Sequence, residues 1–132
     1  MGSFSNYLEN KLLDHVFMKT AFSQPSYIYV ALSTADPGED GSGLSEPSGN
    51  GYARVQTSGS DWNNASGGHI DNAVDIEFPE ATGDWGTITH FALLDADTGG
   101  NLLAYGSLSQ SKTIGSGDTA KFKAGDLDIT LD

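Results

Sequence analysis

The chain has 132 residues, a formal net charge of −12 from 18 acidic and six basic residues, and no cysteine. This length allows one domain with a core that needs no disulfides, and the lack of cysteine excludes disulfides and thiolate metal sites. The acidic balance argues against a nucleic-acid partner, which requires clustered lysine and arginine. No apolar run approaches the roughly 18–20 residues that span a bilayer, and the N-terminus does not resemble a signal peptide. We expect one soluble domain over residues 1–132, with no membrane partner.

Residues 5–17 are the one convincing helix. Its apolar stripe follows a four-residue spacing and is formed by Leu8, Leu12 and Val16. Asn6 followed by Glu9 resembles a capping box at the helix start. A helix of this length is marginal alone, so the stripe must pack either on this domain's own sheet or on a neighbouring subunit.

Residues 1–4 precede the helix, and we expect them to form a flexible arm. Phe4 in the arm and Tyr7 in the first helical turn are aromatic side chains that are available to dock on another protein. Residues 1–20 are therefore interpreted as an arm plus helix at the edge of the domain.

Eight later segments have the alternation or the β-branched and aromatic content of strands. They are residues 27–32, 51–57, 74–78, 88–94, 102–108, 112–114, 119–124 and 126–132. The last two long segments are joined at Gly125-Asp126, and as neighbours they would set Lys121 and Lys123 against the acidic side chains of the final strand.

The segments 88–94 and 102–108 flank a cluster of Asp, Gly and Asn residues, which predicts a β-hairpin. Both strands carry apolar residues on both faces, and such strands are usually covered on both sides. We place this hairpin at the centre of the fold. The pattern as a whole predicts an all-β protein, an antiparallel β-sandwich with one N-terminal amphipathic helix.

Residues 34–51 form the longest loop, which is acidic and rich in Gly and Pro. Loops of this length are usually functional or disordered. Asp36, Glu39 and Asp40 lie close together, but their spacing matches no fixed calcium loop. We expect a mobile surface loop that becomes ordered on a partner, with Asp36 as a contact.

Specific interactions can be predicted for two side chains in the middle of the chain. Arg54 is the only arginine and is expected to pair with a carboxylate. Trp62 lies in a polar loop, where an indole either stacks on a sugar or anchors an interface, or folds back as a lid on the core.

No catalytic constellation is visible. The histidines His15, His69 and His90 fit no metal-binding pattern, and no nucleophile motif is present. His90 lies in the middle of a predicted strand, which favours a hydrogen-bonded histidine in the core or at an interface. We expect no enzyme activity, no cofactor and no metal.

Six phrases, in this order, resemble a family of small virion proteins of tailed bacteriophages, whose members carry labels such as tail-fibre protein or head decoration (cement) protein. The phrases are S-N-Y-L-E-N-K-L-L-D-H-V-F at 5–17, Y-V-A-L-S-T-A-D-P at 29–37, G-Y-A-R-V at 51–55, W-G-T-I-T-H-F at 85–91, D-A-D-T-G-G-N-L-L-A-Y-G at 95–106 and F-K-A-G-D-L-D-I at 122–129. The resemblance covers nearly the whole chain and implies a non-enzymatic structural protein of the assembled particle.

Our first hypothesis from this resemblance is a capsid decoration protein on the outer surface of the phage head. It would bind the major capsid protein. Decoration proteins of phage heads commonly sit as trimers or monomers, so the resemblance is compatible with a symmetric oligomer such as a homotrimer. The candidate contacts are Phe4, Tyr7, Leu12, Val16, Asp36 and Trp62. The alternative is a tail or fibre component that recognises host-surface carbohydrate, with Trp62 stacking on a sugar. A cell-wall hydrolase would need two converging carboxylates, and nothing in the sequence singles out such a pair.

Overall fold

The structure is a computed structural model that describes residues 2–131; Met1 of the expected arm and Asp132 of the last expected strand lie outside the described residues. The strands are β1 (Gly2–Phe4), β2 (Ile28–Ser33), β3 (Val55–Thr57), β4 (His69–Asp71), β5 (Ile76–Glu77), β6 (Gly86–Leu94), β7 (Leu102–Ile114), β8 (Lys121–Phe122) and β9 (Asp128–Thr130). Helix α1 (Asn6–Val16) follows β1, and a short 3-10 turn spans Gly59–Asp61. None of the helices in residues 2–131 has the length and apolar composition of a membrane span.

The strands form a seven-stranded sheet in the order β3-β2-β6-β7-β1-β9-β4 and a two-stranded sheet of β5 and β8. The β6–β7 hairpin lies in the middle of the large sheet, as its apolar faces predicted. The all-β class with one N-terminal helix is confirmed. The large sheet is mixed rather than purely antiparallel, because β1 pairs in parallel with β9.

Strand β7 is longer than its apolar pattern indicated. The expected segments 102–108 and 112–114 belong to one continuous strand of 13 residues. Its register against β6 shifts between Ile88 opposite Lys112 and His90 opposite Ser107, so the β7 backbone bulges there. Polar residues fill this bulge, which is why the strand pattern is interrupted in the sequence.

The expectation of a flexible N-terminal arm was wrong. Gly2 to Phe4 form strand β1, which lies between β7 and β9 with Gly2 opposite Gly106 and Phe4 opposite Ala104. A Cβ on Gly2 would lie 2.7 Å from the Phe91 ring and 2.6 Å from the Tyr105 carbonyl oxygen, so only glycine fits at this position. Phe4 packs against the hydrophobic core and is therefore a structural residue rather than a free docking group.

The main core lies between the large sheet and the β5–β8 sheet. Its largest fully buried side chains include Phe78, Phe91, Leu32, Ile88 and Leu127. The Phe122 ring on β8 makes edge contacts with Phe91 at 6.1 Å and with Phe78 at 6.3 Å between centroids. These contacts join the two sheets at the centre of the molecule.

The second face of the β6–β7 hairpin is covered by the long acidic loop. Leu44 of that loop packs over a buried cluster formed by Ala31, Ala92, Leu94 and Leu102. Pro37 in the same loop is fully buried, and Ser45 N donates a hydrogen bond to Ser33 Oγ. The loop is thus folded onto the sheet, and the expectation of a mobile loop was wrong.

Strands β8 and β9 are not neighbours, in contrast to the expectation from their shared turn. β8 pairs with β5, whereas β9 pairs with β1 and β4. Asp126 Oδ2 accepts a hydrogen bond from Lys123 N at the turn between them, and the fully buried Leu127 follows. The turn carries the chain from the small sheet to the large one, and Lys121 Nζ on β8 lies 3.9 Å from Asp75 Oδ2 beside β5.

The first turn of α1 is fixed by Ser5 and not by the expected pair of Asn6 and Glu9. Ser5 is the N-cap, and its Oγ accepts a hydrogen bond from Leu8 N while donating one to the Leu102 carbonyl. Ser5 is 1% exposed. The cap therefore also attaches the start of the helix to the sheet.

Replacing Gly2 by alanine tests whether the N-terminus is an inserted strand. We expect Gly2→Ala to lower the free energy of unfolding by about 1–3 kcal/mol, as overpacking in a core does. Urea denaturation measures the change. Gly59→Ala is the matched control, because a Cβ on Gly59 meets nothing within 4 Å. Equal stability of the two variants would contradict an inserted β1.

Candidate functional site

The C-terminal half of α1 leaves the sheet and exposes an apolar surface. We call it the α1 patch and define it as Leu13, Val16, Phe17 and Met18, which are 57%, 65%, 65% and 90% exposed. Four of the seven large hydrophobic residues exposed on the described chain lie in this patch. Scattered exposed apolar residues are normal in proteins, but contiguous ones mark interaction surfaces.

The predicted apolar stripe is divided along the helix. Leu8 and Leu12 are half-buried, whereas Val16 is exposed. The N-terminal half is fixed by the Ser5 cap and by Asn6 N, which donates a hydrogen bond to the Glu39 carbonyl. The stripe was expected to pack either on the domain's own sheet or on a neighbouring subunit. Its N-terminal residues are half-buried against the domain. Its C-terminal residues are exposed, and no other part of the described chain covers them.

The helix ends with a backbone turn that keeps its last residues exposed. Phe17 is the C-cap, and Met18 has a φ of +64°. Lys19 N donates a hydrogen bond of 2.8 Å to the Asp14 carbonyl across this residue, so Met18 is the left-handed residue with which helices commonly end. This ending leaves Met18 almost fully accessible at the edge of the patch.

Two other predicted interface residues, Tyr7 and Asp36, make local contacts within the domain. Tyr7 is half-buried in the first turn, with Lys11 Nζ 5.6 Å from its ring centroid. Asp36 is exposed on the folded loop, where its Oδ1 accepts a hydrogen bond from Gly38 N. Its Oδ2 lies 4.0 Å from His90 Nε2.

Trp62 is a lid on the core. Its side chain is half-buried and packs against the main core cluster, and its Nε1 donates a hydrogen bond of 2.9 Å to Thr57 Oγ1. Because the polar edge of the indole is occupied and the ring packs inward, the structure favours the lid over the sugar-stacking alternative.

The histidines are engaged in separate local contacts. His69 Nδ1 lies 3.0 Å from Asp128 Oδ1, and His90 Nδ1 lies 2.8 Å from Thr89 Oγ1. His90 is half-buried in the middle of β6, as predicted from its position between Thr89 and Phe91. Among residues 2–131, no group of three or more metal-ligating side chains could hold a metal ion.

The most elaborate polar cluster joins Arg54, Glu46 and Tyr52. Arg54 Nε and Nη2 donate hydrogen bonds of 3.0 and 2.6 Å to the two oxygens of Glu46, which confirms the expected carboxylate partner. Arg54 Nη1 also donates to the carbonyls of Ala96 and Gly99 in the β6–β7 loop. The Arg54 side chain is only 6% exposed. Its donors are used inside the protein, so the cluster locks loops together rather than binding a ligand.

Tyr52 completes this cluster. Its hydroxyl donates to Glu46 Oε2 at 2.6 Å and accepts from Leu32 N at 3.1 Å. Burial and the neighbouring Glu46 carboxylate raise the pKa of Tyr52 far above its usual value, so the hydroxyl keeps its proton. Burial alone would raise the pKa of Glu46, but the hydrogen bonds from Arg54 and Tyr52 outweigh burial, and the pKa lies below its usual value.

A surface cavity that the sequence did not reveal lies between the second half of β7 and strand β8. Its volume is about 540 Å³. Phe122 and Leu108 contribute to its floor, and side chains of the β7 bulge such as Gln110 and Lys112 contribute to its rim. These residues come from chain segments that meet only in the folded sheet, so no local motif signals them.

Replacing Glu46 by glutamine tests the locking role of the polar cluster. We expect Glu46→Gln to lower the free energy of unfolding at pH 7 by about 1.5–3 kcal/mol, the range for hydrogen bonds to charged groups. The folded pKa of Glu46 is lowered, so its stabilisation is complete above the unfolded pKa of about 4.3 and is lost as the pH falls through the folded value.

Urea denaturation at pH 7 and pH 3 measures both effects, with the exposed Glu80→Gln as the matched control. The difference between the wild type and Glu46→Gln should shrink at pH 3. A difference that is constant between the two pH values, or equal to that of the control, would contradict this role.

The comparisons with known proteins identify the family. A family model described as Podophage GP4 fiber I protein gp80 matches residues 3–130. The match spans all six phrases of the phage resemblance and confirms it. A comparison with curated proteins found no match. Because the family model covers almost the whole chain, this protein belongs to the family of the podophage GP4 fiber I protein gp80 and is a structural protein of the phage virion.

Proposed function

We propose that this chain is a non-catalytic subunit of a phage fibre and that it is held in the virion through its α1 patch. The family is that of a fiber protein, which supports a fibre location over head decoration. The main support for a role in assembly is the α1 patch, whose four apolar side chains are 57–90% exposed.

The energetics of the patch favour a protein partner. Burying a Val, Leu, Met or Phe side chain contributes about 1.5–3 kcal/mol, so covering this patch is strongly favourable. Stable interfaces bury on the order of 1,000 Å² or more, and the patch alone is too small for that. The exposed stretch that follows the patch, residues 19–21, extends the surface that a neighbouring subunit of the fibre would cover.

A structural role also agrees with the chemistry of the chain. In the polar cluster around Arg54, the guanidinium group donates its hydrogen bonds to Glu46 and to two backbone carbonyls of the same chain. Among the described residues, no buried side-chain nitrogen or oxygen lacks a hydrogen-bond partner. The donors of Arg54 and the Tyr52 hydroxyl already have partners inside the protein, so this cluster contributes to stability.

A double substitution in the patch tests the assembly role. We expect Val16→Ser/Phe17→Ser to reduce the amount of this protein in purified virions at least about tenfold, because the lost burial exceeds 1.4 kcal/mol. Quantitative immunoblotting of virions grown from the mutant phage measures the effect. The free domain should keep its unfolding midpoint, because both side chains are already exposed in it.

Val74→Ser is the matched control, since Val74 is another exposed apolar residue, 43% accessible and outside α1. It should be incorporated normally. Normal incorporation of the double variant would overturn the role of the α1 patch, and equal loss with Val74→Ser would show that the effect is not specific to it.

A further inference from the structure

The cavity between β7 and β8 has the size of a binding site for a small ligand. Its volume of about 540 Å³ lies within the range of roughly 300–1,000 Å³ that is typical of ligand pockets. It opens where β7 bulges, between the positions of Ser107 and Lys112. Bulges of this kind are common beside binding sites, because they redirect side chains.

The floor of the cavity is apolar and rigid. Phe122 and Leu108 are half-buried and form part of the lining, with the fully buried Ile88 and Phe91 beneath. The Phe122 ring is held by edge contacts with Phe91 and Phe78. An aromatic ring fixed in this way provides a flat apolar surface whose orientation is set before any ligand arrives.

The rim is polar on both sides and offers donors as well as acceptors. Ser109, Gln110 and Lys112 line it on β7, and Asp118, Lys121 and Asp126 line it on the β8 side. All six are exposed. Two lysines and two aspartates line the rim, and Asp75 lies 3.9 Å from Lys121 beside it, so the charges nearly balance in a chain whose net charge is −12.

We propose that this cavity binds one saccharide unit of a polysaccharide at the host surface. A sugar ring has an apolar C–H face, which fits on Phe122 and Leu108, and a ring of hydroxyls that each donate and accept hydrogen bonds. Such hydroxyls require a rim that mixes donors and acceptors, as this one does. The balanced charge of the rim suits a neutral or weakly charged sugar better than a strongly anionic group.

The alternative occupant is an extended peptide that adds to the edge of β7. Strand addition needs a row of backbone groups along one edge and alternating side-chain pockets. Here the polar groups surround the cavity on both sides, and the bulge interrupts the regular backbone edge. The geometry therefore favours the saccharide.

The host-surface source of the ligand rests on the proposed fibre role, but the site uses no residue of the α1 patch, and the start of α1 attaches at Leu102 and Leu103, at the other end of β7. The site can be tested on the free protein. The probes are an array of purified bacterial surface polysaccharides, followed by titration of isotope-labelled protein with the repeating units of the polysaccharides that bind. Backbone amide NMR shifts locate the site.

We expect saturable shifts in residues 107–113 and 119–122. Gln110→Ala/Lys112→Ala should raise the dissociation constant at least tenfold without changing the unfolding midpoint, since both side chains are exposed. Lys123→Ala is the matched control, because Lys123 is an exposed lysine next to β8 that does not line the cavity. It should bind as the wild type does.

Three outcomes would overturn the proposal. One is that no polysaccharide on the array binds the protein. Another is sugar binding that is unaffected by Gln110→Ala/Lys112→Ala, or whose shifts are centred on Trp62. The third is that an extended peptide, and no sugar, produces the shifts along β7.

Discussion

The fold depends on one constraint, the burial of the β6–β7 hairpin on both faces. One face packs against the β5–β8 sheet through Phe91 and Phe122. The other lies beneath the acidic loop, whose Leu44 covers the buried cluster of Ala92 and Leu94. A strand that is apolar on both faces cannot leave either one in water. The loop and the small sheet are therefore obligatory covers, and the Arg54 cluster ties the loop to the hairpin turn.

Strand β7 also connects the two surfaces that concern function. Helix α1 is attached near Leu103, and the cavity begins near Gln110, so the two are separated by on the order of 20 Å along a strand rising about 3.3 Å per residue. One end of the strand thus holds the start of α1, the helix that carries the α1 patch, and the other end lines the cavity. This division suits a fibre subunit, which must be held by its neighbours while exposing a site to the outside. The proposed roles of the two surfaces can be tested independently, so evidence against one would leave the other standing.

Much of this architecture is readable from the sequence, because it rests on local patterns. The hairpin, the helix and the carboxylate partner of Arg54 follow from periodicity and charge. What the sequence could not give depends on long-range contacts. Nothing local marks Gly2 as the residue that lets β1 pass the ring of Phe91. The sequence at Gly125-Asp126 predicts a hairpin turn, but this turn connects a strand of the small sheet to a strand of the large one. The rim of the cavity combines segments of β7 and β8 whose polar residues look like ordinary exposed strand positions.

Cryo-electron microscopy of the intact virion, at a resolution that allows this chain to be traced, would locate the chain and show what covers the α1 patch. We predict density for the chain in the fibres of the tail, with Val16 and Phe17 buried against a neighbouring subunit. Density on the outer lattice of the head would contradict the fibre assignment and restore head decoration. Density in the fibre with the α1 patch facing solvent would contradict the proposed mode of assembly.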